Sequence, residues 1–206
     1  MSEFDKKAAE WDKNPMHWDR SEAIANEIKT LLPLNKEMRA LEYGAGTGIT
    51  SFLLKDLLKE ITLMDNSTEM VKVMNDKISA SQVKNMSAIN FDLENTDYNG
   101  GTFDLIFTQM VLHHVSDVNG ILAKFHTLLN PGGYLAIADL YPEDGSFHGP
   151  ETHVHMGFDT GILKSLLQKL GFKDITSKEC FIINRKISEN ETRPFQVFIM
   201  IAKRID

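Results

Sequence analysis

The sequence predicts an α/β protein with a largely parallel sheet. Short apolar segments alternate with amphipathic helical segments between residue 39 and about residue 140, which is typical of βαβ units. After about residue 172 the pattern changes, because Lys178–Asn184 and Phe195–Ala202 are separated by a polar loop and not by a helix. This change predicts an antiparallel hairpin that completes the sheet.

The first four elements follow from apolar spacing. Ser21–Leu32 repeats its apolar residues at helical intervals, whereas Arg39–Tyr43 is a short strand that ends at a glycine. Gly48–Leu58 returns to helical spacing. Ile61–Met64 is a second strand, and it is followed by Asp65.

The middle of the chain repeats this order. Ser67–Ile78 is predicted as a helix because its first residue is a good N-cap and its apolar positions recur at helical spacing. Ser87–Phe91 is a third strand that ends at Asp92. Phe103–Thr108 is a fourth strand.

The last part of the alternating region ends in a long irregular segment. Val118–Leu129 is predicted as a helix that the turn Asn130-Pro131-Gly132-Gly133 ends. Tyr134–Ala138 is a fifth strand, followed by Asp139. Residues 140–158 show no periodicity, and long segments of this kind are often functional.

Composition excludes several classes of protein. The chain has 206 residues, 42% hydrophobic and 25% charged, which predicts one globular domain spanning 1–206. A net charge of −7 gives no basic surface for nucleic acid, and the apolar runs are too short for a membrane span. The N-terminus has no apolar signal region and Cys180 stands alone, so a cytoplasmic location without disulfides is expected.

The clearest local motif is a glycine-rich turn between the first strand and the next helix. Glu42-Tyr43-Gly44-Ala45-Gly46-Thr47-Gly48 alternates three glycines, which lets a ligand approach bare main chain. A glycine turn without a ligand remains an alternative. The spacing fits poorly to the dinucleotide fingerprint and lacks the lysine of a phosphate loop. Glu42 would repel a pyrophosphate, whereas it would attract a ligand with an ammonium group and a sulfonium.

Two further acids follow strand ends. Asp65 is positioned to accept hydrogen bonds from ribose hydroxyls, and Asp92 to receive an adenine amino group. Each acid alone is equally well explained as a helix cap or a turn residue. Because ligands of open α/β sheets bind outside the carboxyl ends of strands, Glu42 and these two acids together favour a single nucleoside crevice.

With these motifs the chain resembles the class I S-adenosylmethionine-dependent methyltransferases, especially their small-molecule branch. The resemblance covers roughly residues 38–140 and extends to the terminal hairpin. The segments that carry it are LEYGAGTG (41–48), LMDNS (63–67), NFDLE (90–94), FDLIFTQMVLHHVSD (103–117) and LLNPGGYLAIADL (128–140).

The resemblance implies a doubly wound, Rossmann-like sheet of seven strands in the order 3-2-1-4-5-7-6, with strand 7 antiparallel. It also implies S-adenosyl-L-methionine as cofactor and S-adenosyl-L-homocysteine as product. The residues implied to contact the cofactor are Glu42, Gly44, Ala45, Gly46, Asp65, Asn66, Met70, Asp92, Leu93, Gln109 and Met110. Met70 is equally well explained as a core residue.

Two departures from the family pattern matter. Glu42 replaces the more common Asp, which is conservative. Thr108-Gln109-Met110-Val111 stands where the N6-adenine methyltransferases have N/D-P-P-Y/F, and this puts methylation of nucleic-acid bases in doubt.

Histidines are the candidate acid–base residues because their pKa lies near neutrality. His114 after the fourth strand and His148 in the irregular segment are the predicted catalytic residues, with His113 and His153 as candidates to line the acceptor pocket. The spacing His148-x4-His153-x-His155 is not a strong metal signature, so no metal is predicted.

The resemblance divides the domain into four parts. Residues 1–34 form an N-terminal helical lid or cap in which Trp11 and Trp18 face the cofactor or acceptor, although these rings are equally well explained as docking the first helices. Residues 38–140 form the cofactor-binding core, 140–158 a loop that covers the substrate, and 173–203 the C-terminal hairpin.

The predicted function is methyl transfer to a small molecule by in-line displacement, in a monomer or homodimer that binds neither nucleic acid nor membrane. The alternatives are a cofactor-binding regulatory protein without turnover and a protein methyltransferase. A nicotinamide-dependent reductase is disfavoured by the glycine spacing and by Glu42.

Overall fold

The computed structural model describes residues 3–148 and 154–205, and within them helices cover both faces of a seven-stranded sheet. The strands are β1 Arg39–Tyr43, β2 Glu60–Asp65, β3 Met86–Asn90, β4 Phe103–Gln109, β5 Leu129–Leu140, β6 Phe172–Lys186 and β7 Thr192–Arg204. The α-helices are α1 Glu3–Lys7, α2 Pro15–Leu31, α3 Ile49–Leu54, α4 Thr68–Ala80, α5 Val118–Leu128 and α6 Thr160–Lys169, and shorter 3₁₀ turns span Ala8–Lys13, Lys55–Leu57 and Leu112–His114.

The strand order is β3-β2-β1-β4-β5-β7-β6, which confirms the predicted topology. Strands β1 to β5 pair in parallel, whereas β7 runs antiparallel to both β5 and β6. The order of the parallel strands reverses between β1 and β4, and crevices form at such reversals in open α/β sheets. The segments after β1 and β4 are therefore the ones expected to line a ligand site.

The core has two layers, one on each face of the sheet. Helices α2, α3 and α4 pack on one face through residues such as Ile24, Leu54 and Met74. Helices α5 and α6 pack on the other face through residues such as Phe125 and Leu167. Burial on both faces explains why the central strands read as continuous apolar runs in the sequence. None of the described helices combines the length and apolar character needed to cross a membrane.

The predicted helix Gly48–Leu58 is shorter in the structure, where α3 ends at Leu54 and a 3₁₀ turn follows, and two other helices differ more from the sequence prediction. Helix α2 begins at Pro15 and not at Ser21, because the Asn14 side chain accepts a hydrogen bond from the Met16 N–H at 3.1 Å and so caps the helix. Helix α6 was not predicted at all. Asp159 caps it through the N–H groups of the first turn, and two buried leucines four residues apart face the core.

The predicted Asn130–Gly133 turn lies within strand β5, which begins at Leu129. Phe103 pairs with Leu129 and Leu105 with Tyr134, so residues 130–133 bulge opposite the single residue Asp104. The Asp104 carboxylate accepts hydrogen bonds from the Arg39 N–H at 2.9 Å and from the Asn130 amide at 2.7 Å. The bulge is therefore fastened to the start of β1.

Substitution of Asp104 by alanine should lower the free energy of unfolding by about 1–2 kcal/mol, because two half-buried donors lose their acceptor. The matched control is Asp97→Ala, since the exposed Asp97 side chain makes a surface ion pair with Lys124 at 3.1 Å, and its loss should cost less than about 0.5 kcal/mol. Urea unfolding of both variants measures the difference. Equal losses would show that the Asp104 hydrogen bonds do not stabilise the bulge.

Candidate functional site

The glycine turn after β1 is folded back onto the end of β2. The N–H groups of Gly44 and Ala45 both donate to the Met64 carbonyl, at 2.9 and 3.0 Å. Gly44 has a φ of +67°, and a side-chain carbon there would lie 2.4 Å from Val111 Cγ2. The segment after β4 thus packs directly against the turn, and only glycine fits at this position.

Glu42 is fully buried at the end of β1. Its Oε2 accepts hydrogen bonds from the Ser51 N–H at 3.2 Å and from the Ser51 hydroxyl, whereas its Oε1 has no hydrogen-bond partner among the described residues. Burial raises the pKa of this carboxyl to about 8. A buried acceptor without a donor is rare in folded proteins, and a cation bound here would both satisfy and ionise the group.

Asp65 lies at the end of β2, beside the same turn. One carboxylate oxygen accepts the Gly46 N–H at 2.7 Å and the other accepts the Ser67 N–H at 2.8 Å. Burial raises the pKa of Asp65, and the nearby Asp5 carboxylate adds to this effect. Because a carboxylate has about four acceptor positions, both oxygens can still accept a hydroxyl from a ligand.

The residues around Asp65 differ in their exposure to solvent. Asn66 is exposed, whereas Met70 and Leu93 are only 1% exposed. Asp92 is exposed and accepts hydrogen bonds from the backbone and side chain of Asn95, at 3.2 and 2.8 Å, which lower its pKa. Asp92 therefore caps a turn, which is one of the roles that the sequence left open.

The end of β4 is held in an unusual conformation. The Gln109 amide nitrogen donates to Thr50 Oγ1 at 2.6 Å and to Ser21 Oγ at 3.0 Å, so it connects β4 to α2 and α3. Met110 has a φ of +54°, a conformation that is uncommon for a residue other than glycine. Such strain is concentrated at functional sites, where the surrounding structure holds it in place.

Three histidines come together beyond β4 and β5. His113 is buried, and its Nδ1 lies 2.6 Å from a carboxylate oxygen of the buried Asp139 at the end of β5. The ring centroid of His114 lies 4.2 Å from that of His113 and 5.0 Å from that of His148. The two predicted catalytic histidines and His113 thus form one cluster.

The irregular segment places His148 in this cluster. Its described parts contain no helix or strand between residues 141 and 148 or between 154 and 159. The Glu143 carboxylate accepts the N–H groups of Gly145 and Phe147 at 2.8 and 3.1 Å. Phe147 is buried against Phe195, with ring centroids 5.1 Å apart, and anchors the neighbouring His148.

The irregular segment contains two further histidines, His153 and His155. His155 hydrogen-bonds through Nε2 to the Val115 carbonyl at 3.0 Å, and its N–H donates to the His113 carbonyl at 2.8 Å. These bonds attach the segment to the turn after β4. His153, predicted to line the acceptor pocket, lies outside the described residues.

The N-terminal segment lies over the same strand ends. Trp11 stacks on His17 with ring centroids 4.1 Å apart, and its Nε1 would lie 3.9 Å from a side-chain carbon at Gly46. The Phe4 ring lies 5.2 Å from that of His114. Trp18 is 40% exposed and lies farther out, with its Nε1–H donating to the Asp12 carbonyl at 2.9 Å.

Polar contacts fasten this segment in place. Lys77 of α4 donates to the Asp12 carboxylate at 2.7 Å and to the Thr47 carbonyl of the glycine turn at 2.8 Å. The Ser67 hydroxyl, at the start of α4, donates to the Asp5 carboxylate at 2.6 Å. The segment is thus tied to both sides of the glycine turn.

Arg20 is a further candidate residue that the sequence motifs do not indicate. This residue is 6% exposed, and among the described residues its only hydrogen bond is a weak one from Nη1 to Met16 Sδ at 3.8 Å. Its Nε is buried without a partner. Burial lowers the pKa of Arg20 to about 10, against the opposing effect of the Asp139 charge, so the guanidinium stays charged at neutral pH. Its position four residues before Ile24, on the apolar stripe of α2, is the sequence signal that would have indicated a buried charge.

A protein-family model described as a methyltransferase domain matches residues 16–177. The chain belongs to the class I S-adenosylmethionine-dependent methyltransferases.

Two proteins with similar sequences are also methyltransferases. The methyltransferase C1347.09 of Schizosaccharomyces pombe is 33% identical over 119 residues, which cover 54% of this chain and 42% of that protein. The malonyl-[acyl-carrier protein] O-methyltransferase of Laribacter hongkongensis is 26% identical over 186 residues, or 82% of this chain and 62% of that protein. The methyltransferase chain described here thus spans less than two thirds of each of these relatives.

The fold of this methyltransferase is also found in solved structures. A Haloferax volcanii protein, solved in complex with the Trm112 methyltransferase activator, superimposes with a TM-score of 0.78 at 17% identity, over 100% of this chain and 99% of that one. At this identity the likeness establishes the fold alone.

The side chains of this methyltransferase suit the charges of the family cofactor. S-adenosylmethionine carries an ammonium group, a carboxylate, a sulfonium and two ribose hydroxyls. The unsatisfied Glu42 oxygen matches the ammonium, the unpaired Arg20 guanidinium matches the carboxylate, and Asp65 keeps acceptor positions for hydroxyls. The donors and acceptors present therefore fit the cofactor.

Substitution of Glu42 by glutamine should flatten the pH dependence of stability. The folded protein retains a proton on Glu42 up to about pH 8, whereas the unfolded chain releases it near pH 4.5, so the stability that this group contributes is lost as the pH rises through this window. The slope from this one group is at most about 1.4 kcal/mol per pH unit. Urea unfolding between pH 5 and pH 9 measures it.

The control is Glu37→Gln, since Glu37 is exposed and should leave the slope unchanged. A wild-type slope that persists in Glu42→Gln would show that Glu42 is ionised in the folded protein.

Proposed function

We propose that this chain binds S-adenosylmethionine at the ends of β1, β2 and β4 and transfers its methyl group to a small-molecule acceptor. The observation that carries the proposal is the buried Glu42 carboxyl, which leaves one oxygen without a donor beside the glycine turn of a methyltransferase domain. S-adenosylhomocysteine is the product that such a transfer leaves.

The two ends of the cofactor are assigned from charge. Glu42 accepts the ammonium group, and Arg20 pairs with the carboxylate of the methionine part. Asp65 accepts the ribose hydroxyls, since both of its oxygens keep acceptor positions beside the glycine turn. The remaining assignments follow the family resemblance: Gly44, Ala45 and Gly46 along the methionine part, Asn66 beside the ribose, Met70, Asp92 and Leu93 around the adenine, and Gln109 and Met110 near the sulfonium.

The reaction makes few chemical demands on the protein. The displaced thioether leaves as a neutral group, so no general acid is needed, and alignment with exclusion of water supplies most of the acceleration. Trp11 and Phe4 place apolar rings over the rim, which supports a role of residues 1–34 as a lid.

The acceptor side is assigned to the histidine cluster. His114 and His148 remain the proposed catalytic residues. The ring of His113 is held in position by the Asp139 carboxylate. The net charge of −7 and the position of Trp11 beside Gly46 of the glycine turn support a small acceptor over a nucleic acid. One relative is an O-methyltransferase, which supports an oxygen nucleophile.

Replacing Asp65 by alanine should weaken S-adenosylmethionine binding by about 1–3 kcal/mol, or roughly 5- to 150-fold, because two hydroxyl contacts are lost. Isothermal titration calorimetry measures the affinity. Asp56→Ala is the control, since the exposed Asp56 precedes β2, at the opposite end of the sheet, and forms a surface ion pair with Lys55. Failure of the wild-type protein to bind the cofactor would overturn the proposal. Binding without methyl transfer to any acceptor of a broad panel would make the chain a cofactor-binding regulator instead.

Replacing Arg20 by methionine should have opposite effects on stability and binding. Removal of a buried, unpaired charge should leave the free energy of unfolding unchanged or raise it by about 1–4 kcal/mol. Affinity for S-adenosylmethionine should fall at least about tenfold, because the carboxylate loses a charge-assisted hydrogen bond.

The decarboxylated form of the cofactor is the matched probe for this variant. It lacks the group that Arg20 is proposed to hold, so its affinity should be the same for wild type and Arg20→Met. An equal loss of affinity for both compounds would place Arg20 away from the carboxylate.

A further inference from the structure

The histidine cluster has the dimensions of a metal site. One ring nitrogen from each of His113, His114 and His148 lies within 4.8 Å of the others. The ring centroids of His113 and His148 are 4.9 Å apart. Binding of S-adenosylmethionine uses none of these imidazoles, so the proposed cofactor site does not account for their convergence.

Asp139 gives the cluster its second feature of a metal site. It is fully buried, and its carboxylate lies 2.6 Å from His113 Nδ1, while its oxygens also accept the Leu140 N–H at 2.7 Å and the His113 N–H at 3.3 Å. A carboxylate on one ring nitrogen fixes the proton there and leaves the lone pair of Nε2 for a ligand. Histidines that bind metals in proteins almost always have such a partner on the other nitrogen.

We infer that His113, His114 and His148 bind one divalent transition-metal ion of the zinc type. Three imidazole nitrogens suit zinc and its neighbours in the first transition row, whereas magnesium and calcium prefer oxygen ligands. Zinc–nitrogen bonds of 2.0–2.1 Å place tetrahedral ligand atoms about 3.4 Å apart, so a contraction on the order of 1 Å completes the site. His148 lies on an irregular segment, which permits this adjustment.

The ion would give the cluster a defined role in the proposed reaction, and this part rests on the proposed function. Three protein ligands leave a fourth position open, which is the arrangement of zinc sites that carry out chemistry. Coordination at that position would lower the pKa of a hydroxyl or enol oxygen of the acceptor toward neutral pH. The inference therefore specifies an acceptor with an oxygen nucleophile that can coordinate a metal.

The site differs from the one that the sequence spacing offered. His155 uses its Nε2 for the Val115 carbonyl, so it does not join the cluster. The ligands come instead from the turn after β4 and from the position next to Phe147.

The test uses Co²⁺ and Zn²⁺ on the full chain, purified without a polyhistidine tag. We expect one Co²⁺ per chain, with the visible absorption of a four- or five-coordinate ion, and displacement of Co²⁺ by one equivalent of Zn²⁺ but not by Mg²⁺. His148→Ala should weaken Co²⁺ binding at least about 100-fold, and Asp139→Asn about 10- to 100-fold. His126→Ala is the control with the same histidine count, because His126 packs on Phe172 outside the cluster and should bind Co²⁺ as the wild type does.

Absence of Co²⁺ binding by the folded wild-type protein, or unchanged binding by His148→Ala, would overturn the inference. Thermal unfolding of each variant confirms that it is folded. S-adenosylmethionine binding by the wild type, measured with and without Zn²⁺, separates the two proposals: its absence refutes the proposed function, whereas the cobalt spectrum tests the metal site alone.

Discussion

Strands β2 and β3 lie on one side of β1, whereas β4 and β5 lie on the other, so the chain leaves the ends of β1 and β4 in opposite directions. This reversal opens a crevice between the glycine turn and the segment after β4. Val111 packs directly on Gly44 at this point. Glu42 and Gln109 depend on this arrangement because they lie at the ends of β1 and β4, and His113 and His114 depend on it because they lie in the turn after β4.

Two buried groups on this rim are electrostatically incomplete. Glu42 has an oxygen without a donor, and Arg20 has a guanidinium without a carboxylate within ion-pair distance among the described residues. Each lowers stability, because a buried polar group without a partner loses the hydrogen bonds that water would provide. Their signs are those needed for the two charged ends of an amino acid. The free energy that these two unpaired groups cost the free protein would be recovered when a zwitterionic ligand pairs with both of them.

Local sequence signals predicted most of the fold but only part of the site. The strands and the glycine turn are encoded by spacing and by residues with special backbone conformations, which is why β1, β2 and β4 were predicted to within one residue. The start of α2 had a local signal, Asn14 followed by Pro15, that the apolar spacing alone did not use. The bulge in β5 depends on Asp104, whose partners Arg39 and Asn130 are far away in the sequence. Arg20 was not predicted because its distinguishing feature is a buried Nε without a hydrogen-bond partner, which a sequence does not show. His113 and His148 are 35 positions apart, and the fold of the irregular segment, with Phe147 packed against Phe195, brings them together.

The two proposals together place two cations on one rim, and carboxylates offer a reason why an acidic protein could hold both. Glu42 and Asp65 are the proposed partners of the positively charged nucleoside, and the Asp139 carboxylate lies 2.6 Å from His113 Nδ1. Arg20 is connected to the same strand ends through its neighbour, since the Ser21 hydroxyl accepts a hydrogen bond from the Gln109 amide. The proposed cofactor and metal halves of the site thus each rest on a buried carboxylate near a strand end, Glu42 in β1 and Asp139 in β5.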